Sequence, residues 1–66
     1  MLAIERRNAI LAKISLTGKV LVSDLSRDFG VTEETIRRDL EKLDHDGLVT
    51  KTYGGAILGN STKTDL

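Results

Sequence analysis

The nine residues T-E-E-T-I-R-R-D-L, Thr32 to Leu40, place two hydroxyls, two adjacent guanidiniums and three carboxylates on one short segment. A planar guanidinium donates paired hydrogen bonds, which suits it to a phosphate or to the O6 and N7 acceptors of guanine. No nucleophile is spaced against a base, so the chemistry available is recognition and not bond-making. On an ordinary helix the same arginines would form a solvated, ion-paired surface with Glu33 and Glu34. The surrounding elements decide between these readings.

Ala3, Ile10, Leu11 and Ile14 recur in one sector of a helix from Leu2 to Leu16, with Gly18 as its stop. Lys19 to Val22 is a brief β-branched run, and Ser23 is placed to cap a second helix from about Asp24 to Phe29. Leu25 and Phe29 would face the core, and Gly30 supplies the reversal. Thr32 is the expected N-cap of a third helix reaching about His45, with Ile36, Leu40 and Leu43 inward and Gly47 ending it. Leu48 to Tyr53 and Ala56 to Leu58 read as a hairpin around a Gly54-Gly55 turn. Its first strand is expected to pair with the brief strand before the second helix.

This order predicts a mainly α fold with a small β-hairpin, a winged helix-turn-helix built from a three-helix bundle plus a wing. The expected domain is 1–58, with the helix-turn-helix at about 22–45 and the wing at 48–58. In such a fold the third helix enters the major groove of DNA and residues near its N-terminus reach base edges. Relative to Ile36, Arg38 lies about 200° round the helix, Lys42 about 240° and Thr35 about 260°, all on the outward face, whereas Arg37 lies at about 100° on the flank. Arg38 is therefore the candidate base reader. Thr32, Thr35, Lys51 and Tyr53, with the basic end of the first helix, are candidates for the DNA backbone, Arg37 for a phosphate or the edge of a neighbouring base pair, Lys42 for the DNA-facing side beside Arg38, and the Gly54-Gly55 tip for the minor groove. Asp39 borders the apolar stripe, where Arg6 or Arg7 is its expected partner. Glu33, Glu34 and Glu41 would penalise indiscriminate approach to phosphates.

Composition narrows the alternatives. The 66 residues contain no Cys and one His, so thiolate metal sites and disulfides are excluded, and no metal or cofactor is expected. Asp44-His45-Asp46 diverges by helical steps and does not form a site. The N-terminal segment is too charged to span a bilayer or act as a secretion signal, so a cytoplasmic protein without membrane contact is expected. Net charge is zero, with four basic against eight acidic side chains between residues 20 and 47. That acidic balance supports one alternative, a winged helix that binds protein and not DNA. An enzyme is not expected.

E-R-R-x-x-I-L at 5–11, V-x-x-L-x-x-x-F-x-V at 22–31, T-x-x-T-I-R-R-D-L at 32–40, and G-L-V with Y-G-G-A-I-L in the wing occur in order. Over residues 3–58 the chain resembles the N-terminal DNA-binding domain of the DeoR family of bacterial transcriptional regulators. Thr32 stands where that family often has Ser, and Tyr53 where His is frequent. The resemblance implies a repressor of sugar or nucleoside catabolism genes that binds double-stranded operator DNA. It further implies a larger C-terminal domain that binds a phosphorylated sugar and supports homo-oligomerisation, with 59–66 as the linker toward it.

Overall fold

Ile10 and Ile14, both without solvent exposure, turn one side of α1 (Ala3–Thr17) into the core. In the computed structural model, which describes residues 1–59, α1 is followed by β1 (Lys19–Leu21), α2 (Val22–Phe29), α3 (Glu33–His45), β2 (Val49–Thr52) and β3 (Gly55–Leu58). Leu11 is half-buried at the edge of the α1 stripe, and Ala3 is exposed in the first turn. The residues expected as a linker, apart from Gly59, lie outside the described residues.

The second helix starts earlier than its sequence suggests. Val22 belongs to α2 and not to the strand, and Leu21, not Ser23, is the N-cap, without a side-chain hydrogen bond. The Gly54 carbonyl instead accepts the Val22 N–H at 2.8 Å, satisfying an amide of the first turn from the wing. In this position Val22 joins Leu25 in the core, while Phe29 is only partly buried.

Gly30 adopts φ 67° between α2 and α3, a conformation that costs a residue with a Cβ about 1–2 kcal/mol. The turn is also clasped from both sides. Ser26 Oγ donates to the Val31 carbonyl at 2.5 Å, and the Val31 N–H donates to the Ser26 carbonyl at 3.1 Å. Thr32 then caps α3 as its sequence position predicts, accepting the Thr35 N–H at 3.2 Å.

Ile36, Leu40 and Leu43 of α3 pack into the core beside Asp39, which is 3% exposed and is the only buried charged residue among the described residues. A buried carboxylate must be paired and hydrogen-bonded. Arg6 supplies both bonds, from Nε to Oδ2 and from Nη2 to Oδ1, the latter at 3.1 Å, and Arg7 Nη1 lies 3.7 Å from Oδ1. The hydrogen bond to Asp39 raises the pKa of the Arg6 guanidinium, opposing the effect of its partial burial.

The sheet is antiparallel throughout, in the order β1-β3-β2. It is thus the returning strand of the wing, and not the first, that pairs with β1. The reason lies at the end of α3: the Leu48 N–H donates to the Leu43 carbonyl, holding β2 against the helix, and the Lys51 N–H donates to Asp44 Oδ2 at 2.8 Å. Asp44 thereby occupies the outer edge of β2, and only β3 is left to meet β1. Val20, Ala56 and Val49 line the buried face of the sheet.

Replacing Asp39 by Ala is expected to strand the partly buried Arg6 and cost about 3 kcal/mol. Chemical denaturation of the 66-residue chain measures it, and an unchanged midpoint would contradict the assignment.

Candidate nucleic-acid interface

With its apolar stripe and Asp39 facing inward, α3 presents Glu34 and Arg38 on the opposite pole, with side chains 74% and 75% exposed. Arg37, 59% exposed, projects toward the wing. There Leu40, Arg37, Lys51, Tyr53, Gly54 and Gly55 border an open cleft of about 370 Å³ between α3 and the hairpin. Five of the nine candidate residues are thus brought together. Thr35, Arg38 and Lys42 border the outward side of α3 instead, and Thr32 sits at its beginning, where its hydroxyl lies 2.9 Å from that of Thr35.

Each cation of α3 is matched one turn away. Arg37 contacts Glu33 at 3.1 Å, Arg38 contacts Glu34 at 3.4 Å, and Lys42 contacts Asp46 at 3.9 Å. Exposed pairs of this kind are worth only about 0–1 kcal/mol each, so a phosphate or a base edge can replace the carboxylate at small cost. The ion-paired surface and the ligand-ready surface are therefore the same surface. Among the described residues Lys51 makes no ion pair, and Tyr53 is fully exposed at the hairpin end.

The basic residues of α1 also face carboxylates. Arg6 and Arg7 converge on Asp39, and Lys13 contacts Asp28 at 3.3 Å. Their charge goes to holding α1 against α3 and α2.

The wing turn also differs from expectation. Tyr53 and Gly54 form it, because Thr52 pairs with Gly55 and strand geometry resumes there. Only Gly54 has a positive φ, of 87°, and the order of negative then positive φ is that of a type II turn. Gly55 is needed for another reason: a Cβ there would collide with the Val20 carbonyl and lie 3.1 Å from Leu21 Cα. Its absence lets β1 and β3 approach closely.

Asp44 is the positioning residue that sequence reasoning missed. Near a helix C-terminus its charge is unfavourable to the helix dipole, yet its bond to Lys51 fixes the wing to the end of α3. No local pattern announces a bond across seven residues and two elements. Among the described residues no group of three His, Asp or Glu side chains is placed to hold a metal ion, and no helix is long and apolar enough to cross a membrane.

The family model of the DeoR-like helix-turn-helix domain matches residues 6–62. The chain belongs to this family. It is 46% identical over 57 residues to an uncharacterised HTH-type transcriptional regulator, YulB, of Bacillus subtilis, covering 86% of this chain and 22% of that protein. Over 67 residues it is 42% identical to a putative galactitol utilization operon repressor of Escherichia coli, covering 98% of this chain and 60% of the relative. An L-fucose operon activator of Haemophilus influenzae is 43% identical over 58 residues, covering 88% and 23% respectively. The chain therefore spans only about a fifth of the first relative's length. No solved structure matches it significantly. The family model thus places a DeoR-like helix-turn-helix, a DNA-binding module, over most of the chain, and the relatives that match it carry the names of transcriptional regulators.

Two wing variants separate the roles of the glycines. Gly54→Ala is expected to cost about 1 kcal/mol through backbone strain, and Gly55→Ala about 2–3 kcal/mol through the clash with β1; thermal unfolding ranks them. Asp44→Ala is expected to leave the core intact and raise hydrogen exchange at the Lys51 amide, which NMR reads residue by residue.

Proposed function

We propose that this domain reads a double-stranded operator with α3 in the major groove and the hairpin over the adjacent backbone or minor groove. The observation that carries the reading is the cleft in which Arg37, Lys51, Tyr53 and Gly54 converge beside the exposed pole bearing Arg38. Arg38 donates to a guanine edge. Arg37 and Lys51 hold a phosphate run between helix and wing, while Thr32, Thr35, Lys42 and Tyr53 contact neighbouring backbone. The Gly54-Gly55 end is narrow enough to approach the minor groove.

The acidic balance that favoured a protein-binding module has another use. Asp24, Asp28, Glu33, Glu34, Asp39 and Asp46 are ion-paired, and Asp44 holds a backbone amide. Of the eight acidic side chains only Glu41 lacks such a role among the described residues. The supported reading is DNA recognition without catalysis, metal or cofactor.

The wider function rests on the names of the relatives, which include an operon repressor for galactitol utilization and an operon activator for L-fucose. The full-length protein is accordingly read as a cytoplasmic regulator, most simply a repressor, of carbohydrate or nucleoside catabolism genes. A phosphorylated sugar would bind a C-terminal domain beyond the 59–66 linker, and homo-oligomerisation would place two helix-turn-helix units on a repeated site. A single unit buries roughly 600–1,000 Å² on DNA, so its own affinity is modest.

Arg38→Ala is expected to lose about 1–3 kcal/mol of affinity and relax one base position. Lys51→Ala is expected to weaken all sequences alike and flatten the salt dependence by about one ion. Titrations across a salt series, on selected and scrambled duplexes, distinguish these effects; two variants indistinguishable from wild type would overturn the proposed interface.

A further inference from the structure

We infer that Glu34 is a base-reading residue, whose carboxylate accepts from a cytosine N4 amino group while Arg38 donates to guanine in a neighbouring base pair. The inference rests on the proposed entry of α3 into the major groove. It assigns a sequence-determining role to a carboxylate otherwise expected only to repel DNA.

Glu34 is the second residue of α3, on the pole opposite Ile36, and its Oε2 lies 3.4 Å from Arg38 Nη2. A helix that brings Arg38 to a base edge therefore brings this carboxylate to the floor of the groove as well. There it loses water and faces phosphates on both walls, a costly arrangement unless a donor replaces the solvent. Arg38 supplies one donor but has its own base to reach, which leaves other carboxylate lone pairs unsatisfied.

The major groove offers just two base donors, adenine N6 and cytosine N4. They are not equivalent partners for a carboxylate. Adenine N6 lies between two acceptors, its own N7 and the O4 of the paired thymine, and both repel an acceptor-only group. Cytosine N4 has an acceptor on one side only, the O6 of its paired guanine. Charge and hydrogen-bond pattern therefore select cytosine.

The spacing assigns the companion base. Residues four apart on a helix are separated by about 6 Å along the axis, but the interacting tips of Glu34 and Arg38 lie 3.4 Å apart, close to one base-pair step of about 3.4 Å. Arg38 and Glu34 thus address neighbouring pairs. The ion pair orients the guanidinium and leaves its remaining N–H groups for guanine O6 and N7.

The similar couple Glu33–Arg37 does not share this role. Arg37 borders the cleft beneath the wing, so that pair follows the flank of α3 where backbone and not base edges would lie. The two arginines and their two glutamates divide between wall and floor of the groove.

Selection of random-sequence duplexes by the 66-residue chain tests this, using wild type, Glu34→Gln, Glu34→Ala and Glu33→Gln, each checked for native helicity. Wild type is expected to enrich a cytosine next to a guanine. Because a glutamine amide matches the N6 and N7 pattern of adenine, Glu34→Gln is expected to switch that cytosine to adenine and keep the guanine, changing preference roughly tenfold or more. Glu34→Ala is expected to lose the cytosine without gaining adenine, and Glu33→Gln to keep both bases. If the Glu34 variants enrich the same sequence as wild type and merely bind all DNA more tightly, the carboxylate only repels phosphates and the inference fails. If wild type enriches no sequence at all, the operator-binding reading itself fails.

Discussion

The orientation of α3 depends on one buried carboxylate. Asp39 sits among the apolar side chains of the core, and the two nitrogens that Arg6 offers it come from a different helix. Such a pair is weak evidence for stability, since an apolar replacement often serves as well; its value here is directional. An apolar stripe tolerates some rotation of a helix about its axis, whereas a two-pronged bond to a planar guanidinium does not. With that rotation fixed, Glu34 and Arg38 stand at the outer pole and Arg37 turns toward the wing.

The wing is placed by comparable means. Asp44 takes the outward amide of β2, Gly54 gives its carbonyl to the first amide of α2, and Gly55 lets β3 close against β1. The hairpin is therefore attached to the end of α3, to the start of α2 and to β1, and is not a loose appendage. This matters for a cleft bordered by residues from both α3 and the hairpin, because a shift of either element would separate Arg37 from Lys51.

Periodicity made the three helices, most of their inward residues and the Thr32 cap legible in the sequence, since each depends on residues within a turn or two; Ala3 is exposed and Phe29 only partly buried. The Asp39 partner was legible for a related reason: only α1 offered arginines flanking an inward isoleucine. What escaped notice depends on distant pairing. The early start of α2 is set by the Val22–Gly54 hydrogen bond, between residues more than thirty apart in the chain, the strand beside β1 by the bonds that hold β2 to the end of α3, and the displaced wing turn by the pairing of Thr52 with Gly55. The nine candidate residues were all chosen from exposed or turn positions, and eight of them lie at least partly in solvent; Gly55 is the exception, buried where β3 meets β1.

The reciprocal Ser26–Val31 clasp bears on the thermodynamics of encounter. It leaves the turn between α2 and α3 little freedom to lose, because the backbone and side-chain groups that might fluctuate already bind one another. In the proposed operator complex the two helices therefore enter as one unit, and the entropy of ordering their junction is settled during folding. Association of this part of the molecule carries no folding step of its own, so its heat-capacity change reflects the apolar surface covered and not a disorder-to-order transition.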